Sequence, residues 1–151
     1  MPNLGHIWDG QGEPDVTVTC SSWEDERAAE SDLGTFLQST GLFHVYRQVV
    51  GRPLWTHCFQ HPQDVRADVL LLPTARLIEA GWTAGATVIE VKRSGEKIGP
   101  GCNQLIDYLN SAWWLPDSGG VAVVPAFGFL FPAHKQHGPL ASVMAHQHIG
   151  T

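Results

Sequence analysis

Two runs constrain this chain more than any other part of it: residues 66–73 (RADVLLLP) and residues 87–92 (TVIEVK). The first is almost wholly apolar after Asp68, as in a strand buried on both faces, and Pro73 ends it. The second is a strand in which Glu90 and Lys92 stand two apart and share one face, while Val91 turns to the other. Burying both runs requires a central sheet, and each run brings an acid into it. If the two pair antiparallel through the excursion at 74–86, Asp68 approaches Glu90, sharing its own face with Leu70 and Leu72.

The remaining elements arrange themselves around that pair. Residues 1–20 are rich in Gly, Pro and Asp and read as an irregular arm with a short β-branched run at Val16–Thr19. Residues 21–41 read as a helix, capped by Ser21 or Ser22, acidic in its first turn and ended by Gly41. Its apolar stripe is Ala29, Leu33, Phe36 and Leu37. Residues 42–50 alternate like a strand and close at Gly51-Arg52-Pro53. A polar loop is expected at 93–101, then a helix over 103–114 with Leu105, Ile106, Leu109 and Ala112 or Trp113 inward. Residues 121–131 are strand material broken by Pro125 and Gly128, and the tail holds a short helix. This order predicts one α/β domain over 1–151, a sandwich around a mixed sheet.

Composition excludes several classes. With 43% hydrophobic and 16% charged residues the chain is neither disordered nor membrane-spanning by its longest apolar stretch. The N-terminus lacks a basic region followed by an apolar run, so a cytoplasmic location is expected. Three scattered cysteines, Cys20, Cys58 and Cys102, form no disulfide framework or four-thiolate cluster. The net charge of −6 is unevenly spread: residues 1–46 hold eight acids and one base, whereas residues 47–97 hold seven bases and five acids. Positive charge therefore gathers around the two constraining runs, where phosphate contacts would need it locally, although on charge alone solvated strand and loop positions account for it better.

Two carboxylates a few ångströms apart raise one another's pKa unless a cation lies between them. Mg²⁺ suits such a pair, being hard, octahedral and commonly held by one or two carboxylates plus water. The Val91 carbonyl is a further ligand candidate, and a lysine beside the site orients or activates water in metal-assisted phosphodiester hydrolysis. An E-x-K triplet alone is weak, arising by chance in about half of chains this long. Its setting is what adds weight. Asp68 lies 22 positions upstream, Gln104 and Tyr108 share a helical face downstream, and Glu30 sits in the first helix, eleven positions before Gly41.

This ordered set resembles the PD-(D/E)XK nuclease superfamily over roughly Glu24 to Trp114. The Gln104-to-Tyr108 pattern resembles RecB-type exonucleases, and the Glu30-to-Gly41 spacing resembles archaeal Holliday-junction resolvases. The resemblance implies a restriction-endonuclease-like sandwich of three layers and a Mg²⁺- or Mn²⁺-dependent deoxyribonuclease. Asp68, Glu90, the Val91 carbonyl and Glu30 would hold the metal, Lys92 would act on the water, and Gln104 and Tyr108 would support Lys92 or contact DNA. Arg47, Arg66, Arg93 and Lys97 are the expected DNA-phosphate contacts. Ala67 stands where the family has the proline of its motif, a departure from the pattern. A homodimer, or a place in a larger DNA-processing complex, is implied by resemblance only.

Two other classes compete. A nuclease-fold module that binds DNA or protein without cutting fits the small size and acidic total, since fold does not imply function. A zinc protein would use pairs such as His57 and His61, His134 and His137, or His146 and His148, yet no two-plus-two cluster with a thiolate pair is present. The loop around Ser94–Gly101 has no G-K-[ST] and is not a phosphate-cradling P-loop. Trp113 and Trp114 read as core aromatics or as platforms for unpaired bases.

Overall fold

In the computed structural model, which describes residues 25–54, 64–93, 98–117, 119–132 and 139–150, the first element is helix α1, Glu26–Ser39. Its N-cap is Asp25, whose Oδ1 accepts from the Arg27 N–H at 3.1 Å, so the helix starts later than the serines suggested. Ser21, Ser22, the arm at 1–20 with its Val16–Thr19 run, Cys20, His57, Cys58, His61, Lys97, His134 and His137 lie outside the described residues. The far end follows expectation: Gly41 takes φ +65°, the left-handed conformation that glycine accepts without strain.

Strand β1 is Phe43–Pro53 and β2 is Val65–Pro73; a short helix α2, Ala75–Glu79, leads to β3, Ala86–Val91. The β1/β2 and β2/β3 ladders are both antiparallel, and every residue of β3 is buried. The expected stop at Gly51-Arg52-Pro53 is corrected, because β1 runs through it and pairs there with a further strand, β4, Ser111–Trp114. Gly51 permits this: a Cβ on it would lie 2.6 Å from the Trp113 ring.

Helix α3 spans Ile98–Leu109, a second correction in two respects. It takes in part of the expected polar loop, with Pro100 tolerated in the first turn where backbone N–H groups have no helical partner. It also stops before the SAWW segment, which is strand. The stop is chemical: Asn110 Nδ2 donates to the Ile106 carbonyl and Ser111 Oγ to the Asp107 carbonyl, each at 2.7 Å. Trp113 then packs edge-on against Tyr108, ring centroids 5.5 Å apart.

The chain continues through β5, Ala122–Val123, β6, Pro125–Phe131, helix α4, Pro139–His146, and β7, Ile149–Gly150. The seven strands form one mixed sheet in the order β5-β4-β1-β2-β3-β6-β7, with the β3/β6 and β6/β7 pairs parallel. The molecule is therefore α/β with a mixed seven-stranded sheet. Helix α1 covers one face, where Ala29 and Leu33 meet Val69, Leu71, Ile89 and Val91. Helix α3 covers the other, where Cys102, Leu105 and Tyr108 meet Leu70, Val88, Trp113 and Leu130. Among the described residues, no helix is long and apolar enough to cross a membrane.

Candidate active site

A phase reversal in the two central strands builds the site. Val45 packs toward α1, but Tyr46 and Val49, three apart, both pack toward α3. Likewise Val69 and Leu71 face α1, whereas Ala67 and Leu70, also three apart, face α3. A regular strand alternates strictly, so both strands lose their alternation between Tyr46 and Val49 and between Ala67 and Leu70. The flanking pairs Arg47↔Val69 and Val49↔Ala67 set Gln48 opposite Asp68 at that point. Gln48 has φ +52°, a left-handed conformation that costs a non-glycine residue about 1–3 kcal/mol and tends to persist at functional sites.

The consequence is a polar knot. Gln48 Nε2 donates to Glu30 Oε2 at 2.9 Å and to Asp68 Oδ1 at 3.3 Å, linking the α1 carboxylate to the β2 carboxylate. Arg47 Nε holds the other Glu30 oxygen at 3.1 Å. Asp68 therefore does not simply share a face with Leu70 and Leu72, as strict alternation had it; those leucines belong to the α3 side.

On the other side the β2/β3 ladder ends at Val69↔Ile89, one step before Asp68 and Glu90 would face each other. There the Asp68 carboxylate takes over from the backbone: its Oδ2 accepts from the Val91 N–H at 2.8 Å. Burial raises the Asp68 carboxyl above its usual range and Glu30 adds to the rise, while the hydrogen bonds from Val91 and Gln48 oppose it. Glu90 is 3% exposed, and burial, reinforced by the Asp68 charge, lifts it to about 7 against the opposing pull of Lys92.

Lys92 lies just past β3, its backbone N–H pinned to the Phe131 carbonyl at 2.7 Å. Its Nζ stands 2.6 Å from Glu90 Oε1. Burial by itself would lower the ammonium, but Glu90, with Glu26 and Asp68 behind it, drives the net shift upward. The group is thus a protonated donor at neutral pH. Beneath it the first turn of α3 comes close, since a Cβ on Gly101 would lie 2.6 Å from Leu130 and 3.5 Å from Lys92 Cε.

Tyr108 is buried in the same wall. Its hydroxyl donates to the Arg66 carbonyl at 2.7 Å, and burial followed by the neighbouring Glu90 charge pushes its pKa far up, so it stays neutral. Gln104 lies one turn earlier on α3 and half-buried; among the described residues no hydrogen bond joins it to Asp68, Glu90 or Lys92. Arg66 is exposed at the start of β2, and Arg93 is exposed two residues past the end of β3.

The structure thus gathers Glu30, Asp68, Glu90, Lys92 and Tyr108 and leaves Gln104 at the margin. It also adds two residues that sequence reasoning passed over. Glu26 stands one helical turn before Glu30, and that spacing was readable. Gln48 looked like an ordinary solvent-facing position of an alternating strand, and nothing local marks it.

Around this knot four carboxyl groups (Glu26, Glu30, Asp68, Glu90) meet two cations (Arg47, Lys92), an excess of two acidic groups. Hard oxygen donors with that excess fit Mg²⁺ or Mn²⁺ rather than zinc. The donors are spread, however: among the described residues no three His, Cys, Asp or Glu side chains converge as a metal cluster. Glu90 is turned to Lys92, and Asp68 to Val91 and Gln48. No family model matches the chain, and no significant match appears among curated proteins or solved structures.

Proposed function

We propose that this chain is a metal-dependent DNA nuclease of the PD-(D/E)XK kind, with a restriction-endonuclease-like sandwich as its scaffold. One observation carries the reading. Two carboxylates, the half-buried Asp68 and the buried Glu90, meet where their ladder opens, with the Lys92 ammonium on one and Glu30 linked to the other. Neighbouring like charges whose pKa values are raised by burial and by each other are the kind of group from which catalytic and metal sites are built.

Asp68, Glu90 and the Val91 carbonyl would hold Mg²⁺ or Mn²⁺, with Glu30 reaching it directly or through water. When bound, the cation neutralises charge on the phosphate and lowers the pKa of a bound water. Lys92, kept protonated, serves as a donor that orients water and steadies developing negative charge rather than as the base. Tyr108 holds the wall behind Glu90. Arg47, Arg66 and Arg93 border the site on the substrate side, and a cytoplasmic location and a homodimer or larger DNA-processing complex remain part of this reading.

Cleavage of linear, circular, branched and single-stranded DNA with Mg²⁺ tests it. Loss of cutting by more than about a hundredfold in Asp68→Asn and Lys92→Ala is expected. Undiminished cutting by either variant would sink the assignment.

The second reading, a nuclease-fold module that binds without cutting, draws on the Glu90–Lys92 contact, in which the ammonium itself satisfies a carboxylate that the first reading gives to the metal. Calorimetry separates the two: a binding module shows no Mg²⁺ or Mn²⁺ uptake that depends on Asp68 and Glu90.

A further inference from the structure

Beside the polar knot, on the α1 side of the sheet, a cleft of about 670 Å³ is lined by Arg47, Gln48, Val50, Arg52, Asp64 and Trp114 among others. It starts at Gln48, the residue that joins Glu30 to Asp68, and runs along β1 to the β4 strand. Period-two alternation in β4 splits the paired tryptophans: Trp113 is fully buried toward α3, and Trp114 is 45% exposed on the opposite face. The Arg52 guanidinium stands 5.9 Å from the Trp114 ring centre, at the outer edge of cation–π range.

We propose that this cleft is the track for an unpaired nucleotide strand entering the site, with a base stacked on Trp114 and phosphates on Arg52 and Arg47. Identifying the ligand as nucleic acid rests on the nuclease reading. The preference for unpaired bases rests on the cleft itself. An exposed indole flanked by guanidinium groups offers both halves of single-strand recognition, a π-face for a base and cations for the backbone. A paired base keeps its faces inside the duplex stack and cannot use the indole. The Arg52–Asp64 contact, 3.5 Å long between side chains 71% and 56% exposed, is weak enough for a phosphate to replace. Arg47 meets Glu30 through Nε, and its side chain, 43% exposed, lines the cleft.

The test is fluorescence anisotropy in EDTA, where no cutting occurs, with an oligothymidylate of about twelve nucleotides and a duplex of equal length. The variants are Trp114→Leu, Trp114→Phe and Arg52→Ala, each checked by its urea midpoint. Trp114→Leu should weaken single-strand binding about tenfold and leave duplex binding unchanged, while Trp114→Phe stays close to the parent. Arg52→Ala should lower the salt slope of binding by about one. Unchanged single-strand binding in Trp114→Leu and Arg52→Ala, alongside intact Mg²⁺-dependent cutting, overturns the cleft and spares the nuclease reading. Trp114-dependent binding by a chain that cuts no DNA does the reverse. Equal losses on duplex and single strand, no binding at all by the parent chain, or a Trp114→Leu effect on self-association alone, each overturn the proposal.

Discussion

Gln48 and Asp68 face each other across the β1/β2 ladder, and the Gln48 amide bridges the 3.3 Å to Asp68 Oδ1 while also holding Glu30 at 2.9 Å. A single left-handed residue thus decides whether the α1 carboxylate belongs to the same site as the strand carboxylates. Partners that orient ligating carboxylates typically matter tenfold to a hundredfold for metal affinity or activity.

Gln48→Ala should accordingly lower Mn²⁺ affinity and cleavage by about ten- to a hundredfold. Gln48→Gly removes the same amide but relieves the backbone, so its urea midpoint should exceed that of Gln48→Ala. If calorimetry gives both variants the parent's Mn²⁺ affinity, Gln48 is only a structural bridge.

If the site takes a metal as proposed, Lys92 and the cation compete for Glu90. Lys92→Met should therefore abolish cleavage and yet bind Mn²⁺ at least as tightly as the parent chain. Loss of Mn²⁺ binding in that variant would show that the lysine holds the carboxylates in place instead of acting on substrate.

The pH dependence of stability has a definite sign. Glu90 titrates near 7 in the folded chain against an ordinary 4.5, so between those values the folded state holds more protons than the unfolded one. Stability from this group is full below pH 4.5 and is lost as pH rises toward 7, amounting to on the order of 3 kcal/mol. Urea midpoints in EDTA should fall across that window and be restored at pH 8 by Mg²⁺. Glu90→Gln should flatten the profile; an equally steep one in that variant assigns the titration elsewhere.

Gly51→Ala tests the fold independently of the chemistry. The new methyl would meet the Trp113 ring at 2.6 Å, and such overpacking typically costs about 1–3 kcal/mol. The urea midpoint should fall accordingly, with the β1/β4 pairing weakened first. An unchanged midpoint would mean that the indole does not lie over Gly51.

The sequence by itself determined the elements whose burial repeats locally: α1 from its stripe of Ala29 and Leu33, β2 and β3 from their apolar runs, and Glu90 beside Lys92 from strand alternation. It misplaced α3, because the apolar period of a helix and of a short tryptophan strand overlap until pairing with β1 separates them. The tertiary structure alone decided that the central strands reverse phase at Gln48 and Asp68, that Glu30 is tied to Asp68, and that Trp113 is core while Trp114 is exposed. The reason is physical. Periodicity reports how a segment meets its own two faces, whereas a bulge, an opened ladder or a shared amide depends on the neighbouring strand, which lies far away in sequence.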